Sequence, residues 1–377
     1  MYLDHNAGGR IRAEVAAAIR DWLQQPVANP SSLHAAGRRA RDAMEAARDE
    51  VAALLHAEPA EIVFTGSGSE ANGLAILGTL GCGERAVSTR IEHASVLRNL
   101  ELAAERGAQV EWLELDATGA VSAADTIRQA RGARLLSLGW ANGEIGTRQP
   151  LVAVAAGLAE LPPAERPLLH SDAVQAAGLE EIDVGAVGID LLSLSGHKLG
   201  APAGIGALFV RRGVALISQL RGGSQERERR AGTENLLGII GFGVAARLAR
   251  EGRSARQAQV QALRDRLWAG LSQRVSGIRR IGDPAGLAGT LAVSFIGLRG
   301  DGLIVALDSA GVAASTGSAC AAGAPEPSPV LLALGHDEDS ARSVVRFSIG
   351  SDLDAAAIDD ALEAIVAVVA RARGGDA

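Results

Sequence analysis

Apolar residues recur at Ala40, Ala43, Met44, Ala47, Val51, Leu54 and Leu55, with arginine and glutamate filling the gaps. That three-and-four spacing predicts a helix over 37–55 with one face turned to a core. Beyond Pro59 the period changes. "EIVFT" is a short β-prone run ending in "GSGSEANGLAIL", the order expected of strand, glycine turn and helix. The outline returns in "RAVSTRIEHASVL", "QVEWLELD", "ARLLSLGWANGEIG", "PLLHSDAVQAAG", "IDLLSLSGHK" and "GIGALFVRR", each predicted to hold a strand, several of them tipped by polar residues. Strands alternating with helices predict an α/β chain whose mostly parallel sheet is covered on both faces. In such sheets ligands sit beyond the carboxyl ends of the strands.

A charged helical stretch over 253–271 breaks the alternation, and "TLAVSFIG", "GVAASTGSAC" and "SVVRFSIG" after it predict short strands of a smaller α+β domain. The expected division is a large domain over 12–255 and a small one formed by 1–11 and 256–377, with the tail "RARGGDA" frayed. At 377 residues and 47% hydrophobic, the chain has material for a sizeable core, and its net charge of -7 argues against nucleic acid as the main partner. The longest apolar run, Leu236 to Ala246, is too short to cross a bilayer. The opening "MYLDHNAGG" has no leader pattern, so a cytoplasmic protein without a membrane partner is expected. Two cysteines, Cys82 and Cys320, give neither a disulfide framework nor a thiol metal cluster, and no metal is expected.

The chemistry lies at the strand tips. "TGSGSEAN" puts small residues at the start of a helix, where free N–H groups and the dipole suit a phosphate, although an ordinary tight turn reads the same way. Gly66, Gly68 and Ala71, with Glu92 further on, also match a dinucleotide fingerprint loosely, which makes NAD a rival. Asp172 closes one strand and Lys198 the next. Alone they read as an ion pair; with a phosphate loop they supply the acid, amine and donors that pyridoxal phosphate requires. His93, at a third tip, is either a structural histidine or a flat ring that covers the cofactor and moves protons. Cys82 in "LGCGE" reads as an inert buried thiol. Cys320 sits in "STGSACAAGAPEPSPV", a composition that suits an exposed, mobile loop, and a thiolate there is a nucleophile for sulfur abstraction.

The motifs "GSGSEAN", "EHASVL", "NGEIG", "HSDAVQAAG", "SGHK", "RAGTEN", "GSAC" and "RFSIG" occur in the order and approximate spacing of the cysteine desulfurases. The chain resembles those fold-type-I pyridoxal phosphate enzymes, of the NifS and IscS kind in the class V aminotransferase superfamily, from "YLDHNA" to "RFSIG". The resemblance implies a large domain with a mostly parallel seven-stranded sheet plus a smaller α+β domain. It implies conversion of L-cysteine to L-alanine with the sulfur carried as a persulfide on Cys320. Lys198 looks like the Schiff-base lysine and Asp172 like the partner of the pyridine nitrogen, with His93 stacked on the ring. Asn142 and Gln175 would bond around the phenolic oxygen, Asn142 also meeting substrate, while Gly68, Ser69, Ser195 and His197 hold the phosphate. The family is homodimeric, and Thr233 in "RAGTEN" resembles a threonine that reaches the phosphate of the opposite subunit; the charged run Arg227 to Arg230 beside it reads equally as a solvated loop. Arg346 resembles the guanidinium that clamps the substrate carboxylate, a bidentate task that lysine does poorly.

The long stretch from "GSAC" to "LLALG" resembles the NifS/IscS subgroup rather than the short-loop SufS subgroup, which implies delivery of sulfur to an acceptor protein such as an iron–sulfur scaffold or a tRNA-thiolation protein. The chain departs from the family pattern at Gly8 and Gly9, at Ala201 and Ala203, and at Ser351, which bears on substrate entry, acceptor docking and rate. A selenocysteine lyase or another fold-type-I C–S lyase is the neighbouring reading. A degenerate, non-catalytic partner of a sulfur-transfer complex is disfavoured by the intact Lys198, Asp172, His93 and Cys320, and NAD chemistry leaves those residues as coincidences.

Overall fold

The computed structural model describes residues 1–26, 28–317 and 326–374. Helices α1 (Ala13–Leu23) and α2 (Ala35–Leu54) precede an alternation of β1 (Ile62–Thr65), α3 (Gly68–Leu77), β2 (Arg85–Ser88), α4 (Ala94–Glu105), β3 (Gln109–Trp112), α5 (Ala123–Ala130), β4 (Leu135–Ser137), α6 (Leu151–Ala159), β5 (Leu168–Asp172), α7 (Val184–Val187), β6 (Leu191–Ser195) and β7 (Gly206–Val210). Then come α8 (Leu236–Glu251), α9 (Arg253–Arg274), β8 (Ile278–Ile281), β9 (Thr290–Phe295), α10 (Gly300–Ser309), α11 (Pro329–Ala333), α12 (Glu338–Arg342), β10 (Val344–Ser348) and α13 (Ala355–Ala372).

The apolar stripe of α2 buries Ala40, Met44, Ala47, Val51 and Leu54. It packs on α8 so closely that a Cβ on Gly243 would lie 2.6 Å from the Cα of Ala47. Among the described residues, seven strands form one sheet in the order β1-β7-β6-β5-β4-β2-β3. Strand β7 runs antiparallel to both of its neighbours, and the other adjacent pairs are parallel. Every residue of β6 and β7 is buried, the continuous burial of a sheet covered on two faces. The expected α/β architecture and mostly parallel sheet are therefore present.

A second, antiparallel sheet, β10-β9-β8, has its own core, which draws Leu3 together with residues from Val260 to Val369. Ile91, Ile145, Ile281, Ala292 and Val330 fill a smaller apolar cluster that joins the two sheets beside the cavity described below. Two sequence expectations are corrected, and one strand was not expected. In "RAVSTRIEHASVL" only Arg85–Ser88 is strand, because His93 caps α4 and "ASVL" is helix. In "GVAASTGSAC" the described part forms only isolated bridges, Ala313 with Tyr2 and Ser315 with Arg346. Strand β8, "IRRI", was hidden by its two arginines.

Candidate active site

Beyond the carboxyl ends of β1, β5 and β6 lies a cavity of about 400 Å³. Its first wall is the turn from β1 into α3. Ser67 caps that helix, its hydroxyl accepting from the Glu70 N–H at 3.1 Å. The N–H groups of Gly68 and Ser69 come before the first intrahelical bond, at the positive end of the helix. Position 68 is closely packed: a Cβ would fall 2.8 Å from Val174 Cγ2 and 3.1 Å from Ser195 Cβ, so glycine fits without displacing either. Ser195 ends β6, and its Oγ meets His197 Nδ1 at 2.8 Å. Burial, helped by the charge of Lys198, lowers the His197 imidazole to about 4, so it is neutral at neutral pH.

Asp172 ends β5. One of its oxygens accepts from the Val174 N–H at 2.9 Å and the other from Asn72 Nδ2 at 2.7 Å. Asn72 sits one turn along α3 from Gly68 and also donates to Ser95 Oγ at 2.9 Å, while its Oδ1 is buried without a partner. His93, exposed at the rim, takes the Ser95 N–H on Nδ1 at 3.1 Å. Two buried ionisable groups flank Asp172. Glu92 accepts from the Gly139 N–H at 3.0 Å and the Thr89 hydroxyl at 2.9 Å, and burial raises its carboxyl to about 7. His170, fully buried between Ser137 Oγ at 2.9 Å and Ser193 Oγ at 3.1 Å, is lowered to about 4 by burial. Desolvation thus pushes both of Asp172's neighbours toward their neutral forms.

Lys198 ends the 3-10 turn after β6, and its Nζ donates to the carbonyls of Asn6 and of Ala7, the latter at 2.9 Å. Gln175 donates to the same Asn6 carbonyl at 3.1 Å, and Asn6 in turn donates to Gly143 O and Thr290 Oγ1, both at 2.9 Å. Asn142 donates to Ile91 O at 2.7 Å and accepts from the N–H groups of Glu144 and Ile145, which fixes the loop after β4. The opposite wall is Arg346, in the middle of β10 and only 3% exposed. It donates to Asp4 Oδ1 at 2.7 Å and to Gly143 O at 3.2 Å, and its Nε is buried without a partner.

Lys198, Asp172, His93, Gly68, Ser69 and Ser195 line one cavity, and so do His197, Asn142, Gln175 and Arg346. Thr233 is exposed and lies outside it. Cys320 lies outside the described residues. Cys82, expected to be buried, is exposed in the turn before β2, at the end of the strand away from the cavity; the neighbouring Gly83 N–H pairs with Gly107 O at 2.9 Å. Sequence reasoning did not single out Asn72, Asn6 or a role for Glu92 in this cavity. Asn72 had a signal, one helical turn after Gly68 within "GSGSEAN", and Glu92 directly precedes His93. Asn6 had none, since its partners lie far along the chain at 143, 175 and 290.

The family model for aminotransferase class-V matches residues 1–360. A cysteine desulfurase of Gluconacetobacter diazotrophicus is 41% identical over 382 residues, covering 99% of this chain and 94% of the relative. An IscS-like cysteine desulfurase of Mycobacterium tuberculosis is 38% identical over 385 residues, with 99% and 97% covered. Among solved structures, a NifS-like protein superposes with a TM-score of 0.91 at 29% identity over 98% of this chain and 99% of that one. SspA, solved in complex with cysteine, gives 0.81 at 32% identity over 93% and 99%.

Proposed function

We propose that this chain, which belongs to the class-V aminotransferase family, acts as a pyridoxal 5'-phosphate-dependent cysteine desulfurase that turns L-cysteine into L-alanine. The observation that carries the reading is the convergence of the Lys198 amine, the Asp172 carboxylate and the glycine cradle at Gly68 on one cavity. The residues fit the coenzyme: the cradle at position 68 leaves no room for a Cβ unless Val174 shifts, two N–H groups precede the first intrahelical bond of α3, and Asn72 Oδ1 beside Asp172 is buried without a partner. When bound, pyridoxal 5'-phosphate supplies the electron sink for breaking bonds at the substrate's α- and β-carbons.

In this reading Gly68, Ser69, Ser195 and neutral His197 hold the phosphate. Asp172, fixed by Asn72 and the Val174 N–H, faces the pyridine nitrogen. His93 would cover the ring, Asn142 and Gln175 would stand at the phenolic oxygen, and Lys198 Nζ would hold the coenzyme's aldehyde carbon and carry protons to and from the substrate. Arg346 orients the substrate carboxylate through the guanidinium edge that Asp4 leaves open. The Cys320 thiolate takes the sulfur, so that L-cysteine plus the enzyme thiol become L-alanine plus a Cys320 persulfide. The protein is then a cytoplasmic homodimer, with Thr233 serving the phosphate of the second copy, and an acceptor protein receives the sulfur. Among the described residues no helix is long and apolar enough to cross a membrane.

The test is a visible spectrum of the holoprotein followed by addition of L-cysteine, with alanine and sulfide assays. Parent enzyme and Cys82→Ser are expected to release equal alanine with reductant, and Cys320→Ser is expected to keep its colour and release none. Equal turnover by both variants would remove Cys320 from the reaction.

A further inference from the structure

The start of α3 carries an apparent contradiction. Glu70 stands in the first turn of the helix whose free N–H groups would receive a phosphate dianion, and a negative charge so near repels a phosphate bound there. Its geometry has a use: Glu70 Oε2 accepts the Gly66 N–H at 2.7 Å, and a Cβ on Gly66 would lie 2.7 Å from that oxygen. The carboxylate therefore shapes the turn that leads to Gly68 and Ser69. What offsets its charge is Arg230, which donates from Nε to Oε1 at 2.8 Å.

Ion pairs near the surface usually contribute little because both side chains must be immobilised. Here the guanidinium comes from a loop that is already fixed. Arg48 of α2 grips buried Glu226 with two parallel bonds of 2.8 Å, and the Phe64 N–H of β1 donates to the same carboxylate at 2.8 Å. Arg48 also donates to Ile62 O at 2.9 Å and stacks over the Phe64 ring at 4.7 Å. This anchor holds three consecutive non-glycine residues in the left-handed region, Glu226, Arg227 and Glu228, with φ of 47°, 56° and 64°. Such backbone is unfavourable and persists only where its surroundings over-determine it. The loop bearing Arg230 is thus pinned to β1, the strand that also leads into Gly66.

We propose that Arg230 is a positioning residue for coenzyme binding: by neutralising Glu70 it lets one carboxylate brace the phosphate-binding turn without repelling the phosphate. The inference rests on the reading of Gly68, Ser69, Ser195 and His197 as the phosphate site. Its test compares equilibrium binding of pyridoxal 5'-phosphate and of phosphate-free pyridoxal to the apo forms of parent, Arg230→Ala, Arg230→Lys, Glu70→Gln and the Glu70→Gln/Arg230→Ala double variant, read by absorbance. Arg230→Ala is expected to weaken pyridoxal 5'-phosphate roughly tenfold and to leave pyridoxal unchanged. Arg230→Lys should stay near the parent, and the double variant should regain most of the lost affinity, a recovery that misfolding does not produce. Equal weakening of both ligands, or a double variant as weak as Arg230→Ala, would overturn the inference while leaving the phosphate site standing. Parent protein that binds the two ligands equally would instead defeat the phosphate site itself, and the inference with it.

Discussion

The two walls of the cavity are built differently. On the large-sheet side, Asp172, Ser195 and Lys198 sit at or just past strand ends, where the chain has finished its ladder and the side chains are free to serve a ligand. On the other side Arg346 lies mid-strand in β10, paired in register with Ala292 and bridged to Ser315, and its guanidinium is tied to Asp4. A group at a strand tip can be changed with little loss of packing. A group woven into a core cannot, so function and stability separate on the first wall and are coupled on the second.

Lys198→Ala should give the largest effect and the cleanest separation. The visible absorbance of the holoprotein and alanine formation are expected to vanish, with turnover falling by several orders of magnitude, while the urea midpoint stays close to the parent's. A variant that kept its colour would break the assignment of the amine. Arg346→Ala should fail on both counts. It leaves Asp4 in a largely buried site without its charge partner, with only the Ser315 hydroxyl still donating to it, at a cost of roughly 3 kcal/mol of stability, and raises KM for cysteine. Arg346→Lys should recover part of the stability but not KM, because an ammonium lacks the planar fork. Unchanged stability in the alanine variant would erase the contrast between the walls.

Glu92→Gln sharpens the comparison within the first wall. Burial raises this carboxyl from 4.5 to about 7, so the fold favours its protonated form. That contribution is fully present below about pH 4.5 and is lost as pH rises through 7. A glutamine does not ionise. The stability of Glu92→Gln relative to the parent should therefore grow between pH 4.5 and 7, by up to roughly 3 kcal/mol, as read from urea midpoints across that window. A difference that stays flat with pH would show that the carboxyl titrates normally. His170, lowered by burial to about 4, has the opposite sign: its contribution is present above about pH 6.5 and is lost as pH falls through 4.

The first wall was legible in the sequence and the second only in part. "EIVFT" before "GSGSEAN" announces a strand, a turn and a helix start, and Asp172 and Lys198 each close an apolar run, so local pattern alone places them at tips. Arg346 came from resemblance, since nothing in "SVVRFSIG" says that one arginine in a buried strand faces a cavity. Asn6 and Asp4 were illegible because their partners are long-range. The left-handed run at Glu226 escaped for a related reason, since a distant residue, Arg48, holds it. Of the family departures, Ala201 is buried and Ser351 exposed, and neither lines the cavity.

The opening segment has a consequence for the order in which the molecule can be assembled. Leu3 lies in the second core, Asp4 binds Arg346, and Asn6 binds Thr290 while its carbonyl receives Lys198. Residues 3–7 leave the ribosome long before residues 290–348, so the amine's acceptors can be held in place only after nearly the whole chain has been synthesised. A nascent chain stalled short of β10 can possess the complete large sheet and still lack the strand that locks the amine's acceptors into position.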